Sequence, residues 1–122
     1  IKKKSNNAYM KVYTVEKTFH FDSIFTYSQN MINTPVFGVL LNTGEYEPTF
    51  KRNATLAIAY EKRTIDEDCY YCFDSHDRYI VRKCMPIDFT DEIQITDTTG
   101  ENRRLPNTTP CVGKVISARI QL

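Results

Sequence analysis

The sequence predicts a mainly-β fold: one antiparallel sandwich or barrel of about seven or eight short strands, stapled by disulfides. Three observations predict it. Runs rich in Val, Ile, Thr, Tyr and Phe recur about every dozen residues between turn residues. No stretch sustains a helical apolar period with caps beyond about two turns. Four cysteines fall within 122 residues, the usage of a small domain from an oxidising compartment.

Taken in order, residues 1–7 carry Lys2-Lys3-Lys4 and then Ser5-Asn6-Asn7, a flexible basic and polar tail. Residues 8–122 form the single domain, with no internal repeat or low-complexity linker to divide them. The first strand spans residues 9–16. Residues 18–22 follow, alternating Phe19 and Phe21 with polar neighbours, and residues 24–27 continue that strand past a kink. Residues 35–42 are a continuous apolar run, the pattern of a strand covered on both faces, ending at the turn signal Asn42-Thr43-Gly44. In residues 55–61, Leu56, Ile58 and Tyr60 share a face.

Residues 69–73 and 79–83 flank Asp74-Ser75-His76-Asp77-Arg78 and read as a hairpin. Residues 91–96 place Ile93 and Ile95 on one side. Residues 112–122 close the chain, with Val112, Ile116, Ala118, Ile120 and Leu122 on one face and Val115, Ser117, Arg119 and Gln121 on the other. Two connections stand out, residues 41–51 and the longer, polar residues 97–110. Loops of that length are often binding loops.

The hairpin gives the cysteines a preferred pairing. With Asp74 opposite Tyr79, Cys69 lies opposite Cys84. Cys72, three residues from Cys69, then faces the other side and is free to reach Cys111. The expected bridges are Cys69–Cys84 and Cys72–Cys111. The first closes a loop of about 15 residues, worth on the order of 3 kcal/mol. An alternative use of the same residues is metal: Cys69, Cys72, His76 and Cys84 supply three thiolates and an imidazole, a set tetrahedral zinc accepts. Tyr70-Tyr71 between the first two cysteines favours extended chain over the tight turn such a site needs, so no metal or other cofactor is expected.

Charge is nearly balanced, 16 basic against 15 acidic residues, without the basic excess of a nucleic-acid binder. No apolar run approaches the roughly 18 residues that span a bilayer. The chain starts at Ile1 without a leader, as expected of a processed secreted protein or an excised domain. Asn53-Ala54-Thr55 and Asn107-Thr108-Thr109 are glycosylation sequons, the second disfavoured by Pro110. Localisation is therefore expected to be secreted or extracellular.

Catalysis finds little support. The only histidines are His20 and His76. A ribonuclease-like or other hydrolase using them would need both to converge on one cleft, whereas one is expected on a polar strand face and the other at a hairpin tip. No nucleophile elbow, HExxH helix or phosphate-binding glycine loop is present. The sequence instead suggests a protein-interaction module: a secreted ligand, an inhibitor, a pathogen effector or a receptor-ectodomain domain, with a protein partner. Eight Tyr and no Trp fit an interface composition. The expected contact surface is the His76-Asp77-Arg78 tip with Tyr46 and the Arg103-Arg104 loop.

Overall fold

The structure, a computed structural model, describes residues 7–26 and 34–120. The basic tail expected at residues 1–7 lies outside them except for its last residue. The described chain forms nine strands: β1 (Asn7–Thr14), β2 (Phe19–Thr26), β3 (Val36–Leu40), β4 (Ala54–Ala59), β5 (Cys69–Ser75), β6 (Arg78–Pro86), β7 (Glu92–Thr96), β8 (Asn102–Pro106) and β9 (Gly113–Ile120). The mainly-β expectation holds. The architecture differs from a sandwich or a closed barrel, because all nine belong to one sheet in the order β2-β1-β3-β4-β9-β5-β6-β7-β8.

The sheet is also mixed rather than purely antiparallel. β2 returns along the outer side of β1, and the chain then enters β3 on the inner side, where Val12, Tyr13 and Thr14 pair in parallel with Gly38, Val39 and Leu40. Every other pairing is antiparallel.

The sheet curls strongly. β1 and β5 stand four places apart in the strand order, about 19 Å if flat, at ~4.8 Å per strand. Yet the turn after β1 meets the β5–β6 hairpin: the Tyr79 N–H donates to the Val15 carbonyl at 2.7 Å, and Lys17 Nζ donates to the His76 carbonyl at 2.7 Å. Lys17 also pairs with Asp74, and the Phe37 and Tyr79 rings, again four strands apart, have centroids 5.5 Å apart. Curling brings them together without closing the sheet.

The concave face holds the main core: Val39, Leu41, Leu56, Ile58, Cys72, Val81 and Val115, capped by Val15 and by Tyr46 and Phe50 from the connection after β3. On the other face lie two smaller clusters. Met10, Val12, Phe25 and Ala57 form one. Ile65, Tyr71, Phe73, Cys84, Ile93 and Cys111 form the second, covered by the connections before β5 and before β9. β4 is buried at every position, with Leu56 and Ile58 toward the main core and small Ala57 toward the opposite cluster. Tyr60, expected on the Leu56 face, is exposed just beyond the strand.

β9 is squeezed between β4 and β5, pairing with both near its start. A Cβ on Gly113 would lie 2.4 Å from the Ala59 carbonyl oxygen, so only glycine fits this close approach. A bulge opposite Ala57 and Ile58 shifts the register of β9. Hence Val115, not the expected Ile116, enters the main core, while Ala118 and Ile120 are exposed.

The predicted hairpin register is present: Asp74 pairs with Tyr79 and Cys69 with Cys84. The turn is tighter than expected, since Ser75 pairs with Arg78 and only His76 and Asp77 lie between, with His76 at φ 57°. All four cysteines are free thiols, so neither expected bridge is formed. Cys69 and Cys84 do share a face and a cluster. The Cys72–Cys111 pairing finds no support: Cys72 belongs to the main core and Cys111 to the cluster on the opposite face, where its thiol donates to the Arg63 carbonyl at 2.9 Å. The zinc set fails on the same alternation, because Cys72 faces away from Cys69 and Cys84.

Candidate functional site

On the concave face, next to the capped core, the sheet is left open as a cleft of about 260 Å³. Its floor is Tyr70, Val81, Lys83 and Thr96, which alternation and register place on one face of β5, β6 and β7. One wall is Glu45, Tyr46, Glu47, Pro48, Thr49 and Phe50. The other is the turn joining β7 to β8, with Asp97, Thr98 and Gly100.

Both walls are held in place. The Tyr46 ring is buried and its hydroxyl accepts the Val81 N–H at 3.1 Å. The Phe50 N–H donates to the Tyr46 carbonyl at 3.0 Å, and the Phe50 ring packs edge-on against Tyr70 at 5.0 Å. The Glu45 carboxylate pairs with Arg78 of the hairpin, and this pairing raises the Arg78 pKa. On the opposite wall Asp97 Oδ1 accepts from Thr99 Oγ1 at 2.6 Å, Thr99 N at 2.9 Å and Glu101 N at 3.0 Å. Those donors, the Thr99 hydroxyl first, hold the Asp97 carboxyl below its usual range. Gly100 closes this turn at φ 88°, a conformation that favours glycine.

Asp97 is committed to its turn and Glu45 to Arg78, so neither is a free base. Lys83 is half exposed on the floor, with only a loose 3.8 Å pairing to Asp68. The cleft thus presents an aromatic wall, one cation and the exposed Glu47 carboxylate. Among the described residues no group of three or more His, Cys, Asp or Glu is arranged to hold a metal ion.

The expected surface is brought together only in part. Tyr46 and Arg78 meet the same loop through Glu45, and His76 and Asp77 sit beside them at the exposed tip. Tyr46 itself is a buried support rather than an exposed contact. Arg103 and Arg104 are elsewhere. They lie on β8, a strand where a loop was expected, with Arg103 level with Ile95 and so with Cys84. At ~3.3 Å per residue the hairpin tip is roughly 23 Å further along the sheet. Arg104 is exposed, 3.6 Å from Glu92.

His20 is an exposed edge-strand residue against the Phe21 ring at 4.8 Å, and the His76 carbonyl serves Lys17. Both sequon asparagines, Asn53 and Asn107, are exposed. Of the two connections expected to carry binding, residues 41–51 and 97–110, each supplies one wall of the cleft, whereas Lys83 on its floor was missed; the β6–β7 register would have revealed it. Sequence reasoning also missed Phe89, a wholly exposed aromatic at φ 62° in the turn after β6. Comparisons with protein-family models, with curated proteins and with solved structures found no match.

Proposed function

We propose that this chain is a secreted, extracellular protein-interaction module that takes side chains of a partner protein into the concave-face cleft. The observation that carries this reading is the cleft's size and fixed walls. About 260 Å³ falls below the range of roughly 300–1,000 Å³ typical of small-molecule sites, yet it is ample for one or two protein side chains. Tyr46, Phe50 and Asp97 are locked by their own hydrogen bonds and ring contacts, so little ordering is left to oppose association.

The compartment reading rests on the four cysteines of a short chain and on the cross-strand placement of Cys69 opposite Cys84, an arrangement compatible with one disulfide in an oxidising compartment. The exposed Asn53 and Asn107 sequons support a glycoprotein. No catalytic role is proposed for His20 or His76.

The test is charge inversion inside the cleft. Lys83→Glu and Glu47→Lys alter exposed groups with weak partners, so both variants should keep the wild-type melting temperature. Each should weaken binding to a protein captured from extracellular fluid by the immobilised wild-type chain. Unchanged affinity in both would remove the cleft from the interaction.

A further inference from the structure

We infer that the turn joining β6 to β7 is a second, independent docking element, in which Phe89 inserts into an apolar pocket with a basic rim on a partner protein. Phe89 is 106% exposed, so its whole ring is in solvent with no packing partner. It also sits at φ 62°, the left-handed region that bulky side chains rarely adopt. Glycine or asparagine would satisfy the backbone there at lower cost. The turn therefore holds an aromatic side chain against both its solubility and its backbone preference, the combination found where local strain serves a site.

The turn is preorganised. Ile87 N–H donates to the Glu92 carbonyl at 3.0 Å, and the Thr90 N–H and hydroxyl both donate to the Ile87 carbonyl, at 3.2 and 2.8 Å. Thr90 Oγ1 in turn accepts the Glu92 N–H at 3.1 Å. Asn107 N–H donates to the Asp91 carbonyl at 2.8 Å, tying the turn to the end of β8. With the backbone of the turn held, only the two side-chain torsions of Phe89 are left to be ordered on insertion, a small entropic cost for an aromatic anchor.

Charge selects the occupant. Asp88 and Asp91 flank Phe89, both exposed and neither in an ion pair among the described residues. The next carboxylate along the chain, Glu92, is already matched by Arg104. Two unpaired carboxylates around an inserting ring are repelled by an anionic membrane and attracted to a cationic rim. A protein pocket fits; a lipid surface does not.

The experiment replaces Phe89 with a photo-crosslinking phenylalanine analogue in the full chain, irradiates it in extracellular fluid from the source organism and identifies the adduct. The affinity of the purified adduct partner is then measured for wild type, Phe89→Gly and Lys83→Glu, alongside co-sedimentation with phosphatidylcholine–phosphatidylserine vesicles. Expected are an adduct competed by excess wild-type chain, at least tenfold weaker binding by Phe89→Gly, and no vesicle binding. Phe89→Gly relieves the positive φ, so it should fold at least as stably as wild type, and its loss of affinity cannot be ascribed to unfolding. The inference is overturned by an absent adduct, by affinity within twofold of wild type, by Phe89-dependent vesicle binding, or by an adduct that proves to be a second copy of the chain. If Lys83→Glu loses affinity while Phe89→Gly does not, the cleft stands and the tip falls; if Phe89→Gly loses affinity while Lys83→Glu does not, the tip stands as an element independent of the cleft.

Discussion

At the scale of single residues, Tyr46 shows how one side chain decides the shape of the cleft. Its hydroxyl satisfies the buried Val81 N–H, which faces the loop rather than a neighbouring strand. Tyr46→Phe keeps the ring and deletes that acceptor, together with the contact of the hydroxyl to Arg78, leaving a buried donor unpaired. The expected loss is about 1–3 kcal/mol of stability, read as a lower urea midpoint with an unchanged denaturant slope. A variant as stable as wild type would show that the loop is not pinned there. Tyr46 illustrates the limit of reading sequence: a tyrosine between two glutamates looks like a surface contact, yet its ring is core. The Cys69–Cys84 register was legible because a short hairpin is local. The side on which Cys111 arrives was not, because it depends on how the chain enters β9.

Among the elements, the strands with one dry face were readable from their alternation, and β8 was not. Asn102-Arg103-Arg104-Leu105-Pro106 has a single apolar residue, Leu105, which joins the cluster around Ile93. The rest of its composition suits an edge strand guarded by charge and ended by proline. Replacing Arg103 and Arg104 together by Val should raise strand propensity and remove the guard. The double variant is expected to self-associate as concentration rises, seen by light scattering, while wild type stays unchanged under the same conditions. Equal scattering from both would mean that this edge is protected by something other than charge. The β9 faces were misread for a related reason: one bulge opposite β4 exchanges which residues point inward.

For the whole molecule, the sequence indicated a mainly-β chain but not a single curled sheet with a parallel β1–β3 pair. Which strand lies beside which is a choice among long-range pairings, and alternation constrains faces rather than neighbours. Curling packs Cys72, Tyr71 and Cys84 into dry interiors, and burial pushes each of their pKa values up to about 12. A raised folded-state pKa favours the protonated form. Its contribution is thus fully present below the unfolded value, near 9 for the thiols and 10 for the tyrosine. It is lost as pH climbs toward 12. Under reducing conditions the chain should lose stability as pH rises from about 9 toward 12. A flat profile across that interval would mean these groups are not buried as ionisable thiols and phenol.

The most direct measurement of the interaction role is the dissociation constant of the captured partner for wild type and for the Lys83→Glu, Glu47→Lys double variant, both shown by melting to be folded. Binding through the concave cleft requires a loss of tenfold or more. Equal constants, with the two floor and wall charges reversed, would contradict it.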